Sequence, residues 1–115
     1  NIQLKINDIT QNFEQISQQK YSFVKFYSPS CPACVRMKET FEQFENNEYI
    51  IKNKISLFEV NCVVGYDLCQ REGIKGWPNI RLYHNGKFID RYRNVNIAEA
   101  WQDWLQEQIE KRSEL

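Results

Sequence analysis

The chain has 115 residues, of which 42% are hydrophobic and 14% aromatic, a composition typical of one globular domain with its own core over residues 1–115. Fifteen basic side chains balance fifteen acidic ones, so no net charge attracts nucleic acid or anionic lipid. No apolar run reaches the ~20 residues that insert into a bilayer, and the chain begins at Asn1 without a signal-peptide core. We therefore expect a mature form or an excised piece.

The first third of the chain predicts a strand, a helix and a second strand. Apolar and polar residues alternate in a short half-buried strand, with the apolar positions at Ile2, Leu4 and Ile6. Asp8 and Gln11 have the spacing of a helix cap. The apolar face of that helix is formed by Ile9, Phe13 and Ile16. Residues 21–27 form a near-continuous apolar run, typical of a central strand buried on both faces.

Beyond this strand, apolar residues recur at three and four positions and predict a helix, with its inner stripe at Cys34, Met37, Phe41 and Phe44. A strand over residues 56–61 and a short helix over residues 66–72 follow. Two further strands, over residues 80–84 and 88–92, flank Asn85-Gly86, which is the dipeptide best suited to a type I′ turn.

The last helix is predicted to open with Asn96 and Glu99 as a capping pair. Its apolar stripe contains Ile97, Ala100, Trp101, Trp104, Leu105 and Ile109. The element order is β-α-β-α-β-α-β-β-α, which combines an early parallel β-α-β unit with a late antiparallel hairpin. The sequence therefore predicts an α/β fold with a mixed central sheet and helices on both faces.

The segment "FYSPSCPACVRMKETF" places Cys31 and Cys34 between the central strand and a helix. Free backbone N–H groups at a helix start stabilise a thiolate, which is the reactive form of cysteine. Pro32 fits the first helical position, where a missing N–H removes no hydrogen bond. Cys34 lies one turn further along, within reach of Cys31, so the spacing suggests that Cys31 attacks a disulfide and Cys34 resolves the mixed disulfide.

Two other interpretations of the cysteines remain open from the sequence. Cys31 and Cys34 could form an inert structural disulfide, or half of a zinc site. A four-cysteine zinc site would also need Cys62 and Cys69, whose six intervening residues exceed the usual spacing of a zinc knuckle. We therefore expect no metal and favour redox chemistry.

Two motifs resemble those of the thioredoxin superfamily, and in particular the active domains of protein disulfide isomerases. "FVKFYSPSCPAC" is similar to the strand and Cys-x-x-Cys of that family, and "GIKGWPNIRLYHNGK" is similar to its Gly-x-Pro loop and hairpin. The resemblance covers the whole chain and implies a thioredoxin fold. It also implies a cis bond between Trp77 and Pro78 that faces the cysteines and presents backbone groups to an extended substrate segment.

The resemblance further implies a thiol-disulfide oxidoreductase or isomerase that acts on cysteines of polypeptide substrates without a metal or organic cofactor. A partner oxidase or reductase would reset the cysteine pair. In some relatives a second cysteine pair forms a structural disulfide, which is the role implied for Cys62 and Cys69. One reactive and one structural pair suit an oxidising compartment such as the endoplasmic reticulum lumen. The terminal "RSEL" resembles a variant of the K-D-E-L retention signal.

Three positions of the site depart from the isomerase pattern. Lys25 stands where relatives carry a buried acid that relays the proton of the second cysteine, so Lys25 is either an unusual proton acceptor or a sign that the relay is missing. A lysine in this strand should be neutral, snorkelling or paired. Ser30 replaces a tryptophan and makes the substrate rim more polar. Pro32 and Ala33 replace Gly-His, which removes an imidazolium that would stabilise the thiolate.

These departures leave a second hypothesis open. The chain could be a redox-weak substrate-binding or chaperone module of a larger multidomain protein. If the pair is active, we expect a reduction potential between those of reducing thioredoxins and strongly oxidising periplasmic enzymes.

Overall fold

The computed structural model describes residues 6–113. Within this range the strands are β1 (Asn7–Asp8), β2 (Tyr21–Tyr27), β3 (Ile55–Asn61), β4 (Asn79–His84) and β5 (Lys87–Tyr92). The helices are a 3₁₀ helix (Phe13–Gln18), α1 (Pro32–Phe44), α2 (Glu48–Lys52), α3 (Tyr66–Arg71) and α4 (Ala98–Ser113). The strand predicted from Ile2 and Leu4 and the end of "RSEL" lie outside the described residues. No helix of residues 6–113 is long and apolar enough to cross a membrane.

The strands form one mixed sheet in the order β1-β3-β2-β4-β5. Strand β3 runs parallel to both β1 and β2, whereas β4 runs antiparallel to β2 and β5. The predicted combination of a parallel β-α-β unit with an antiparallel hairpin is therefore confirmed, as is the thioredoxin fold. Helix α2, which begins after a side-chain cap by Asn47, was not predicted.

The first predicted helix cap is wrong. The Asp8 carboxylate accepts hydrogen bonds from the N–H and the hydroxyl of Thr10, at 2.9 and 2.5 Å, and so closes a turn. The helical segment begins only after Asn12 and is a single 3₁₀ helix. Ile9 and Ile16 are nevertheless buried. Aspartate side chains often form hydrogen bonds with the nearby backbone outside helices. The spacing of Asp8 and Gln11 therefore did not mark the start of a helix.

Two hydrophobic cores lie on opposite faces of the sheet. One core is centred on Phe23, which is fully buried and whose ring lies 5.9 to 6.3 Å from four aromatic rings of α1 and α4. These rings belong to Phe41, Phe44, Trp101 and Trp104. The other core packs the 3₁₀ helix and α3 against Val24, Phe26 and Val60. Helices therefore cover both faces, as predicted.

The hairpin between β4 and β5 turns at Asn85-Gly86, whose φ angles are +51° and +85°. Positive φ at both central residues is the requirement of the predicted type I′ turn. A Cβ atom at Gly86 would lie 2.8 Å from the Cα of Ser17. Glycine is thus required both by the turn and by the close approach of the 3₁₀ helix.

The start of α4 differs from its prediction. The helix begins at Ala98, so Asn96 and Glu99 do not form a capping pair. The Asn96 side-chain oxygen instead accepts a hydrogen bond from the indole N–H of Trp101 at 3.3 Å. Since Trp101 is fully buried, this bond satisfies a polar group that burial would otherwise leave unpaired. Ile97 precedes the helix and is 52% exposed, so it does not belong to the apolar stripe.

Cys62 and Cys69 form a disulfide between the end of β3 and α3, with their Cα atoms 5.7 Å apart. Both residues are buried in the core beneath the 3₁₀ helix and α3. The bridge ties a short helix of six residues to the sheet, where the helix alone would have few hydrogen bonds to keep it formed.

Replacing Phe23 by alanine should lower the free energy of unfolding by about 3–5 kcal/mol, because the cavity left beside α1 and α4 cannot close. Phe88→Ala is the matched control, since Phe88 is 51% exposed, and should change stability by less than about 1 kcal/mol. Urea denaturation followed by tryptophan fluorescence measures both. Equal losses in the two variants would contradict the assignment of the core.

The double variant Cys62→Ala/Cys69→Ala should lower the free energy of unfolding by about 2.5 kcal/mol, the chain-entropy value for a loop this short. Urea denaturation with and without a strong reductant provides the measurement. Reductant should destabilise the parent chain but leave the double variant unchanged. A double variant as stable as the parent would show that this bridge does not support the fold.

Candidate active site

The cysteine loop connects the central strand to α1. Strand β2 ends at Tyr27, and α1 begins at Pro32 with Cys31 as its N-cap residue. The N–H of Cys31 donates to the Ser28 carbonyl at 3.1 Å, and the Cys31 carbonyl accepts from the N–H of Val35 at 3.0 Å. Pro32 stands in the first turn, where its missing N–H removes no helical hydrogen bond. The predicted position of Cys31 at the start of a helix is therefore confirmed.

The two sulfur atoms face different environments. Cys31 is partly exposed, whereas Cys34 is 4% exposed, and both are free thiols. The backbone N–H of Cys34 donates to the Cys31 sulfur at 3.2 Å. This bond and the positive end of the α1 dipole both favour negative charge on the Cys31 sulfur. Ala33 lies between the cysteines and adds no polar group.

The Cys34 thiol is a poor acid in this position. Burial raises its pKa to about 11, and the hydrogen bond with the Cys31 sulfur acts in the same direction. The Ser28 backbone and the charge of Lys25 oppose this rise without cancelling it. Cys34 therefore stays protonated at neutral pH, and Cys31 is the thiol that an incoming disulfide meets first.

Lys25 lies in the core behind the cysteines. Its side chain is 2% exposed, and its ammonium Nζ lies 3.3 Å from a carboxylate oxygen of Glu59. The same Nζ lies 5.2 Å from the ring centroid of Tyr27 and 5.0 Å from that of Phe41. Of the three states expected for this lysine, the structure shows the paired one.

Glu59 is the site residue that the sequence analysis missed. It lies on β3 directly beside Lys25 in the parallel pairing of β2 with β3, and its side chain is 14% exposed. Burial raises the pKa of its carboxyl group, and the attraction of Lys25 offsets only part of that rise. The available signal was a lone acid in the strand "SLFEVN", on the same face as Leu57, opposite a lone base in the neighbouring strand.

Lys25, Glu59 and Cys34 share one cavity of about 280 Å³. Its other lining residues are Tyr27, Ser28, Pro29, Val35 and Lys38. Strands β2 and β3 form its floor and the first turn of α1 forms one wall. A polar cavity of this size admits water next to the buried thiol.

The Trp77–Pro78 peptide bond is cis, as predicted. It immediately precedes β4, whose first residue, Asn79, pairs with Phe26 near the end of β2. The cis bond and the cysteine loop therefore meet at the same edge of the sheet. The Trp77 side chain is 47% exposed and lines a surface pocket with Cys62 and Cys69.

Ser30 is exposed directly before Cys31, and its hydroxyl lies 3.2 Å from that of Ser28. The rim on this side of Cys31 is therefore polar, in agreement with the expectation from the sequence. The four-cysteine zinc alternative is wrong, because Cys62 and Cys69 are bonded to each other on the opposite face of the sheet.

Comparisons with known proteins agree with this geometry. Residues 5–107 match the family model described as Thioredoxin. The chain is 35% identical to protein disulfide-isomerase A5 of Bos taurus over 69% of this chain and 15% of that protein. It is 33% identical to the ER-retained PMA1-suppressing protein 1 of Saccharomyces cerevisiae over 70% of this chain and 12% of that protein.

A solved structure of the first two thioredoxin domains of Saccharomyces cerevisiae Eps1p superposes with a TM-score of 0.76 at 27% identity, covering 90% of this chain and 40% of that one. Among the curated relatives, the chain spans less than a quarter of the length of those it matches best. The family match, these relatives and the geometry of the cysteine loop lead to one conclusion: the chain belongs to the thioredoxin family, as a thioredoxin domain of the protein disulfide isomerase type.

Proposed function

We propose that this chain is a thiol-disulfide oxidoreductase that exchanges or isomerises disulfides in polypeptide substrates through Cys31 and Cys34. The observation that carries the proposal is the contrast between the two sulfur atoms. Cys31 is accessible at the start of α1 and accepts a hydrogen bond from the backbone, whereas Cys34 is buried and protonated behind it. This contrast supports attack by Cys31 and resolution by Cys34.

In the reducing direction, the Cys31 thiolate attacks one sulfur of a substrate disulfide. The substrate S–S bond breaks, a Cys31–substrate disulfide forms, and the first substrate thiolate leaves and takes a proton. Cys34 then loses its proton and attacks the Cys31 sulfur, which releases the second substrate thiol and forms the Cys31–Cys34 disulfide. Two electrons have passed from the protein to the substrate, and every step is reversible.

The substrate segment is proposed to lie across Ser30, Trp77 and Pro78. Backbone groups beside the cis bond can pair with an extended peptide, as at an exposed sheet edge. The half-exposed indole of Trp77 offers apolar contact, while Ser30 leaves the opposite rim polar. The affinity for apolar substrate segments should therefore depend mainly on Trp77.

We further propose that the protein works in the endoplasmic reticulum lumen or another compartment of the secretory pathway. The name of the yeast relative states retention in the endoplasmic reticulum. The Cys62–Cys69 disulfide supports an oxidising compartment, because such bridges are rare where thiols are kept reduced. A thiol oxidase or reductase would reset the Cys31–Cys34 pair after each turnover.

Cys31→Ser should abolish reduction of an insulin-type disulfide, because the attacking sulfur is gone. Cys34→Ser should accumulate covalent mixed disulfides with substrate, because resolution is blocked. Turbidity of reduced insulin and non-reducing electrophoresis measure the two effects. Cys62→Ala/Cys69→Ala serves as the control and should retain turnover.

Unchanged turnover in both single variants would end this proposal. Titration of the pair in glutathione buffers separates the proposal from the binding-module hypothesis. A reversible two-electron transition supports the oxidoreductase. A Cys31–Cys34 pair that stays oxidised at every ratio of reduced to oxidised glutathione supports a binding or chaperone module.

Trp77→Ala should raise the KM for a peptide disulfide about tenfold, since the indole contributes roughly 1–2 kcal/mol of apolar contact. Reduction of a small aromatic disulfide, which cannot span the rim, should keep its rate. Phe88→Ala is the control, because Phe88 is similarly exposed but lies on β5. A parallel loss with both substrates would indicate damage to the fold instead of a lost contact.

A further inference from the structure

In the resolving step of the proposed reaction, the Cys34 thiol must lose its proton before it can attack the mixed disulfide. With a pKa of about 11, the Cys34 thiol is ionised in only about one molecule in ten thousand at pH 7. Burial is the main cause of this raised pKa and also applies in the mixed disulfide, so an unassisted attack by Cys34 would be slow there too. A nearby base can recover much of this loss, since positioned proton acceptors typically contribute about 10²–10⁴ in rate.

We propose that the Glu59 carboxylate is the proton acceptor for the Cys34 thiol, and that Lys25 positions that carboxylate and keeps it ionised. The inference rests on the proposed function, because it concerns the resolving step of that reaction. In this proposal the acid expected on β2 is supplied by the neighbouring strand β3, where Glu59 is paired with Lys25.

The geometry places Glu59 and Cys34 around the same space. Both side chains line the cavity of about 280 Å³ beneath the first turn of α1, one from β3 and the other from the helix. Among the described residues that line this cavity, Glu59 is the one carboxylate. Water admitted to the cavity offers a short hydrogen-bonded path for the proton.

The pair with Lys25 is not explained by stability alone. Both charges are largely removed from water, and the desolvation of a buried ion pair cancels much of its attraction. Apolar side chains of similar size could fill this part of the core about as well. A charged pair beside a buried thiol does have a use in proton transfer, because the ammonium holds the carboxylate in its proton-accepting form.

The charged and titratable groups around Glu59 are consistent with this role. Lys25 and Tyr27 face it from β2, and Asp8 and Glu42 act on its charge from β1 and α1. Lys38 lines the cavity rim. Burial raises the pKa of Glu59, and the two neighbouring acids add to this rise, which makes Glu59 a stronger base than an exposed carboxylate.

The neighbours are less suited to accept the proton. The Asp8 carboxylate accepts two hydrogen bonds from Thr10, and neither Asp8 nor Glu42 is among the residues around the cavity. Burial, with the charges of Glu59 and Asp8, raises the pKa of Tyr27 to about 12, so its phenol stays protonated at neutral pH.

The Glu59 carboxylate takes the proton from Cys34, whose thiolate attacks the Cys31 sulfur of the mixed disulfide. The Cys34–Cys31 bond forms while the bond between Cys31 and the substrate sulfur breaks. The departing substrate thiolate accepts a proton from the Glu59 carboxylic acid, directly or through water, and the acid returns to its ionised form. In the oxidising direction the same transfers run in reverse.

The test separates attack from resolution in one experiment. A symmetrical peptide disulfide carries a self-quenched fluorophore on each half, so dequenching reports attack by Cys31. The fall in anisotropy reports departure of the second peptide after attack by Cys34. Both signals are followed by stopped flow with the reduced protein in single turnover between pH 6 and 9.

In the parent chain the resolution rate should be nearly flat around neutral pH and fall as acid protonates Glu59. Glu59→Gln should slow resolution at least tenfold at pH 7, while attack changes less than threefold. Its resolution rate should rise tenfold per pH unit, because only the rare Cys34 thiolate then reacts. This dependence on pH distinguishes proton transfer from a structural role of the pair.

Two further variants address folding and charge. Lys25→Met/Glu59→Gln removes both charges, so no unpaired charge remains buried, and should show the same steep pH dependence as Glu59→Gln. Lys25→Met alone keeps the carboxylate without its partner, so the acid limb of the resolution rate should move to higher pH. Glu42→Gln is the matched control: it should keep the resolution rate of the parent chain at pH 7, and the acid limb should move slightly to lower pH because one neighbouring negative charge is lost.

The possible failures are distinguishable. If the parent chain shows no dequenching, the proposed function itself fails. If the parent chain attacks and resolves, but Glu59→Gln and the double variant resolve as fast and with the same flat pH dependence, the assignment of Glu59 is overturned while the oxidoreductase proposal stands.

Discussion

The arrangement of the site depends on where the central strand ends. Strand β2 is hydrogen-bonded to β3 on one side and to β4 on the other, so its end point is held by two ladders. Only four residues separate Tyr27 from the first residue of α1. Because this connection is so short, Cys31 has to lie at the helix start, and the first turn of α1 buries Cys34 beneath it.

The same pairing explains the chemistry of the buried thiol. The parallel register of β2 and β3 sets Lys25 beside Glu59, and the pleat directs both side chains towards α1, where Cys34 closes the cavity. A shift of one residue would turn one of the two charges towards the opposite core and leave both buried and unpaired. The register is therefore tied to the proton chemistry as well as to packing.

The two cysteine pairs are separated by the sheet. Cys31 and Cys34 belong to the face covered by α1 and α4, whereas the Cys62–Cys69 bridge lies in the core beneath the 3₁₀ helix and α3. The buried disulfide and the reactive pair therefore lie in different cores of the structure. In the proposed reaction, Cys31 and Cys34 alternate between dithiol and disulfide while the Cys62–Cys69 bridge holds α3 to the sheet.

Much of the fold was predictable from local patterns. The apolar run of β2, the three- and four-residue spacing of α1 and the Asn85-Gly86 turn each depend on residues close in sequence, so the structure confirms them. The caps proposed at Asp8 and Asn96 were wrong, because both side chains found other hydrogen-bond partners that spacing does not reveal. Local patterns identify elements better than their ends.

The sequence by itself determined the position of Cys31 before a helix and the presence of a lysine in the central strand, and the family resemblance implied the cis bond before β4. Tertiary structure alone decided what that lysine contacts, since Lys25 and Glu59 are 34 positions apart and meet only through the pairing of two strands. The sequence already placed Cys34 on the inner stripe of its helix, but the packing of α1 on the sheet decided that its pKa is raised. Charges and pKa values follow from neighbours in space, which a single sequence does not list.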